Sequence, residues 1–210
     1  GLESSMLTIH HLRVGRSIFT VWLLEELELD YDVKEYFRNP ETNRAPPELK
    51  KIHPLGKSPV IDDDGLILSE SGAIASYLLE KHDQGHRFSP SPSDLAAWAT
   101  YTQWLHYPEG SVFLPLLIQL LLLRSGVPAP VFEAFSTAEV TLHLDHISKQ
   151  LGDNDYILGD TFSAADFGVC YMVSMAESLG LLSGHASLAD YVQRNKNRPA
   201  FKRALARVIE

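Results

Sequence analysis

Cysteine is nearly missing from this chain of 210 residues. The single one, Cys170, excludes an internal disulfide and any Cys-x-x-Cys pair that cycles between thiol and disulfide. A reducing, cytoplasmic setting is the expectation. Positive charge is also scarce, with 18 Lys and Arg against 27 Asp and Glu and a formal net charge of −9. Nucleic acid and anionic membrane surfaces need clustered cations and do not fit as main partners, whereas a small anion held by local dipoles does. Long apolar runs are lacking too. The most apolar, Val112 to Leu123, is interrupted by Pro115 and Gln119 and is too short to span a bilayer, so it reads as a buried helix. No basic-then-apolar leader opens the chain, Gly1 to Ser5 ahead of Met6 read as a cloning remnant, and no internal repeat or low-complexity tract appears.

What is present has a clear order. Leu7 to Leu12 is a short apolar strand, and Ile18 to Leu27 sets Val21, Leu24 and Leu27 on one helical stripe. Tyr31 to Phe37 alternates as a second strand, and a Pro-rich polar loop from Arg38 to Pro47 leads to a short helix around Glu48 to Ile52. Ser58 to Ile61 and Leu66 to Leu68 form a hairpin around an acidic turn with Gly65, and Ser71 to Lys81 is an amphipathic helix. A βαβ unit forces a parallel pair, and the hairpin adds an antiparallel strand, so a small mixed sheet covered by helices is expected over residues 1–81. Residues 82–94, rich in Gly, Pro and Ser, read as a linker. From 95 to 210 the patterns are helical throughout: about 95–123, 129–151, 164–179, 187–194 and a terminal helix from Pro199. Ser163-Ala-Ala-Asp166 reads as a capping-box variant, architecture rather than chemistry.

Two stretches read together as one device. In Leu55-Gly-Lys-Ser-Pro-Val-Ile61 the proline removes a strand donor and makes a cis bond cheap, which lets the Ser58 backbone face an extended, peptide-like ligand. Glu70-Ser-Gly at a helix start then offers a carboxylate for an ammonium group, and a hydroxyl with free N–H groups for a carboxylate. An α-amino acid end fits that pair. With the linker and the Ser-x-x-Asp helix start, this order resembles the cytosolic glutathione transferases over essentially the whole chain. Leu55 to Ile61, Glu70 to Leu79 and Tyr156 to Phe167 carry most of the likeness, and His11 to Leu27 and Tyr101 to Pro115 look most like a fungal and bacterial class.

The resemblance implies a thioredoxin-like, glutathione-binding α/β domain followed by an all-α domain, a homodimer, and detoxification as the role. Glutathione would be co-substrate, with a small apolar electrophile or an organic hydroperoxide as its partner. By position, Ser58 would pair with the cysteinyl part of glutathione, Glu70 and Ser71 would hold the γ-glutamyl end, and Lys57 with Arg44 would face the glycine carboxylate. Lys57 and Arg44 also read as solvated charges, and Glu70 as a plain helix cap. The chemistry would consist of lowering the thiol pKa, since the thiolate is the nucleophile. Where the resembling class has Ser-Arg-Ser after the first strand, this chain has Gly15-Arg16-Ser17, so the usual activating hydroxyl is absent. Ser17, Arg16 and the backbone N–H groups of both are the candidates for activation, and Ser17 reads equally as a cap. Tyr107 is the candidate wall of the electrophile pocket.

Glu139, His143 and His146 share a helix face at i, i+4 and i+7 and read as solvated residues, so no metal is expected. A non-catalytic glutathione-binding module in regulation or assembly is the competing function, which Gly15 keeps open.

Overall fold

The computed structural model describes residues 6–210; Gly1 to Ser5, read above as a cloning remnant, lie outside the described residues. Two compact units emerge: one contains the residues up to Gly85 together with Asn197–Glu210, the other His86–Lys196.

The first unit holds β1 (Leu7–Leu12), α1 (Ser17–Glu26), β2 (Asp32–Tyr36), β3 (Val60–Asp63), β4 (Leu66–Ser69) and α2 (Ser71–His82), with a 3-10 turn at Pro47–Lys51. The strands run in the order β2-β1-β3-β4. β1 lies parallel to β2, with Ile9 opposite Val33, and antiparallel to β3, with Ile9 opposite Ile61. This is the expected mixed sheet, and its central residues Ile9 and Ile61 are fully buried. The hairpin turns at Asp64 and Gly65, both at positive φ as a two-residue connection of this hand requires, and Asp62 Oδ1 accepts the Gly65 N–H at 2.9 Å. The stretch Ser17 to Leu24 is buried all round, so α1 needs cover on more than its sheet-facing side.

That cover explains one departure from expectation. The terminal helix α8 (Pro199–Arg207), read from sequence as part of the helical half, packs on α1 in the sheet-containing unit. Its buried stripe of Ala200, Phe201 and Ala204 meets α1 through edge-to-face contacts of Phe201 with Phe19 and Trp22. Arg198 Nε donates to Glu26 at 2.9 Å, and Arg207 donates to the Tyr31 carbonyl while lying over its ring.

The second unit contains α3 (Leu95–Tyr107), α4 (Phe113–Ser125), α5 (Pro130–Leu151), α6 (Ala165–Ser178) and α7 (Ala186–Lys196). A π-helical turn at Pro108–Val112 joins α3 to α4, so helical backbone continues from Leu95 to Ser125, long and apolar enough by length and composition alone to cross a membrane. The reading of Val112 to Leu123 as a buried helix is corrected here. Only Val112, Pro115 and Leu116 are buried, whereas Leu114, Leu121 and Leu123 are exposed. The run is apolar on every face, and packing against α5 and α6 covers only part of it. Asp166 is a buried hub: its carboxylate accepts the N–H groups of Ile157 and Ser163 and the hydroxyl of Tyr191 at 3.0, 2.9 and 2.6 Å.

Candidate functional site

Strand register brings the candidate residues of the first unit to one end of the sheet. His10 and Ser69 both lie opposite Val60, so the end of β1, the start of β3 and the end of β4 converge where α1 and α2 begin. Ser58 precedes the first ladder residue of β3, and the Ser58–Pro59 bond is cis. Ser58 Oγ donates to the His10 carbonyl at 2.8 Å and lies 3.3 Å from the Leu12 N–H. The side chain therefore anchors the segment inward and leaves the Gly56–Ser58 backbone outside the ladder.

Glu70 closes β4 with φ at +72°, a left-handed conformation that costs a non-glycine residue of order 1–3 kcal/mol and persists where the surroundings hold it. Its carbonyl accepts the Ile74 N–H at 2.9 Å and so starts α2, but its exposed carboxylate makes no capping hydrogen bond. The plain-cap reading of Glu70 thus lacks its bond. Ser71 and Gly72 follow half-buried, and nothing lies within 4 Å of where a Gly72 side chain would begin. The first N–H groups of α2 thus begin without a side-chain cap beside an exposed carboxylate, a pairing suited to a zwitterionic α-amino acid end. Lys57 and Arg44 are exposed cations of the same unit.

The loop from β1 to α1 differs from expectation at Ser17. This residue is fully buried, and its Oγ accepts the Leu12 N–H at 3.0 Å and meets His11 Nδ1 at 2.8 Å and the Leu12 carbonyl at 3.2 Å. Its hydroxyl is committed to the interior because a buried polar group must find partners there. Arg16, half-buried, occupies the N-cap position of α1. Val14 sits at φ +56°, and Arg38 grips its carbonyl through Nη2 at 2.7 Å and Nε at 3.2 Å. A side chain at Gly15 would begin 3.1 Å from Arg38 Nη2, so the guanidinium crowds this position.

Tyr107 belongs to the second unit, half-buried, with its hydroxyl 2.6 Å from His143 Nδ1. Burial, and then the charge of Glu139, push its phenol up to about 12. His143 Nε2 lies 3.3 Å from Glu139, and His146 stacks on Trp104, so the stripe read from sequence as solvated is engaged with aromatic neighbours. No group of three or more His, Cys, Asp or Glu able to hold a metal occurs among the described residues. Cys170 is fully buried, which raises its thiol pKa and leaves it unreactive.

Sequence reasoning missed His11, Arg38 and Glu210 as partners of the loop. Only the buried position of His11 on a central strand carried a local signal.

A small mixed sheet, a cis-proline at the start of its third strand and a helix opening behind a carboxylate define the thioredoxin-like class of domain, here in a chain whose other unit is helical. Residues 6–80 match the family model "Glutathione S-transferase, N-terminal domain", and residues 131–194 match "Glutathione S-transferase, C-terminal domain". The chain is 36% identical to glutathione S-transferase 3 of Schizosaccharomyces pombe, over 82% of this chain and 75% of that protein. It is 34% identical to glutathione S-transferase 1 of Saccharomyces cerevisiae, over 81% of each. A solved glutathione S-transferase from Actinobacillus pleuropneumoniae superposes with a TM-score of 0.85 at 32% identity, covering 95% of this chain and 91% of that one. A sphingomonad glutathione S-transferase solved in complex with glutathione has the same fold, with a TM-score of 0.77 at 20% identity over 95% of this chain and 97% of that one. The chain belongs to the glutathione S-transferase family, and its enzyme class is glutathione transferase.

Proposed function

We propose that the convergent end of the sheet binds glutathione and lowers its thiol pKa, delivering the thiolate to a small apolar electrophile or an organic hydroperoxide. The uncapped start of α2 beside the free carboxylate of Glu70 carries this reading. Glu70 and Ser71 hold the γ-glutamyl end, the Ser58 backbone pairs with the cysteinyl part, and Lys57 and Arg44 draw the glycine carboxylate. The inward hydroxyl of Ser17 supports assigning thiolate stabilisation to the backbone N–H groups of Arg16 and Ser17 at the start of α1, with the Arg16 charge nearby. A two-unit fall in thiol pKa corresponds to about 2.7 kcal/mol, within reach of several hydrogen bonds and a helix dipole acting together. Tyr107 serves as a wall for the acceptor, and the working form is a cytoplasmic homodimer.

The test is a difference-absorbance titration of the glutathione thiolate on the protein, with Glu70→Ala alongside. Wild type binds glutathione with its thiol ionised below the free value, and the variant loses about ten- to a hundredfold in affinity while unfolding within about 0.5 kcal/mol of wild type, since no cap is lost. Binding without a pKa shift would favour the regulatory module, and unchanged affinity in Glu70→Ala would refute the assigned site.

A further inference from the structure

His11 and Ser17 are two of the few fully buried polar residues of the first unit, and they touch each other. Beyond them stands Glu210, whose side chain is about a quarter exposed and whose Oε1 lies 2.8 Å from His11 Nε2. The two atoms are in close contact without a completed hydrogen bond at that nitrogen. Glu210 also reaches the loop directly: its Oε2 is 3.3 Å from the Val14 N–H, and its carbonyl accepts Arg13 Nε at 2.9 Å. One residue thus engages three successive points, at His11, Arg13 and Val14, while Ser17 and Ser58 share the N–H of Leu12 between them.

We infer that Glu210, acting through His11 and Ser17, is a positioning residue that fixes the backbone of the β1–α1 loop in the conformation that stabilises the glutathione thiolate. The inference rests on the site proposed above. Three observations carry it. Val14 holds a left-handed backbone that a β-branched residue adopts only under constraint, and it is held from both sides, by Glu210 at its N–H and by Arg38 at its carbonyl. The chain Glu210, His11, Ser17 ends on Leu12, the residue at which the strand hands over to the loop. Ser58 hangs on the same N–H, so the peptide-pairing edge and the loop are tied at one atom. Backbone donors, unlike a side-chain hydroxyl, cannot swing to find the sulfur, so their value depends on how firmly the loop is set. A carboxylate placed two groups away from the donors sets it without touching the ligand.

The test compares wild type, Glu210→Ala and Glu210→Gln for the pKa of bound glutathione thiol and for kcat and KM in conjugation. Glu210 lies at the surface, so neither variant threatens folding, whereas His11→Ala removes a buried side chain. Glu210→Ala is expected to raise the bound thiol pKa by about one unit and lower kcat about tenfold, with KM for glutathione within about twofold. Glu210→Gln keeps an acceptor for the Val14 N–H and is expected to recover most of both. If wild type lowers the thiol pKa and Glu210→Ala lowers it equally, the inference fails while the glutathione site stands. A change in KM alone also overturns it. Absence of any pKa shift in wild type would bring down the site and the inference together.

Discussion

Each unit buries a polar hub at the head of a helix, and the two hubs are built differently. In the helical unit, Asp166 opens α6, wholly buried, and its carboxylate accepts two backbone N–H groups and the Tyr191 hydroxyl inside the unit. In the sheet unit, Ser17 opens α1 beside His11, and their contacts lead outward to Glu210 on one side and Ser58 on the other. A closed network fixes a fold. A network that reaches partly exposed groups also transmits its geometry to whatever those groups adjoin, here the candidate thiol loop and peptide edge.

Breaking the closed hub should give the largest effect. Asp166→Ala strands two buried N–H groups and a buried tyrosine hydroxyl, each needing a partner in a dry interior, so a loss of about 3–5 kcal/mol in unfolding free energy is expected from chemical denaturation. Asp166→Asn keeps an acceptor and should lose about half as much. A loss below about 1 kcal/mol for Asp166→Ala would show that water reaches this hub and that the contrast with Ser17 is not one of closure.

A third network, at the opposite end of the sheet, separates stability from activity. Asp63 is buried on β3, where Lys81 and Tyr77 donate to it. Burial by itself raises its carboxyl pKa, but hydrogen bonds from Lys81 and Tyr77, with the charges of Lys81 and His82, outweigh this and hold it below the usual value. A depressed folded-state pKa means that the stabilisation is complete above the unfolded carboxyl value, about 4, and is lost as pH falls through the lower folded one. Asp63→Asn should therefore cost about 1 kcal/mol near neutral pH, discounted because Lys81 is exposed, and converge on wild type in strong acid. The bound thiol pKa should stay unchanged, because β3 places Asp63 away from the converging ends. A parallel offset at every pH would remove the ion-pair explanation.

Much of this architecture was legible because it is local. β1 reads directly as Leu7 to Leu12, the Asp-Gly hairpin announces itself, and α2 follows its apolar spacing. Ser58, Glu70 and Ser71 stood out for the same reason: each belongs to a short motif whose backbone consequence does not depend on distant residues. The direction of the Ser17 hydroxyl did not, since the buried ring of His11 decides it, and Glu210 is about as far from His11 in sequence as the chain allows. The docking of α8 on α1 was hidden likewise, because its stripe of Ala200, Phe201 and Ala204 would suit any apolar partner. Val112 to Leu123 misled in the opposite way, since apolar composition says that a helix can be buried but not how many neighbours will cover it.

The smallest expected effect tests whether the loop works through its backbone. Gly15→Ser returns a hydroxyl to the position where the resembling class has one, and the new side chain would begin 3.1 Å from Arg38 Nη2. The guanidinium must give way by a few tenths of an ångström, loosening its hold on the Val14 carbonyl, so a stability cost below about 1 kcal/mol is expected in thermal unfolding. Against that cost stands a second thiolate donor that does not depend on Glu210. If the backbone is the native donor, the bound thiol pKa should fall by less than about one unit in Gly15→Ser, and Glu210→Ala should raise it less in the double variant than alone. Fully additive shifts would mean that the hydroxyl and the positioned loop act on different atoms, and a rise in Gly15→Ser would mean that Arg38's grip on Val14 matters more to the thiolate than any donor added beside it.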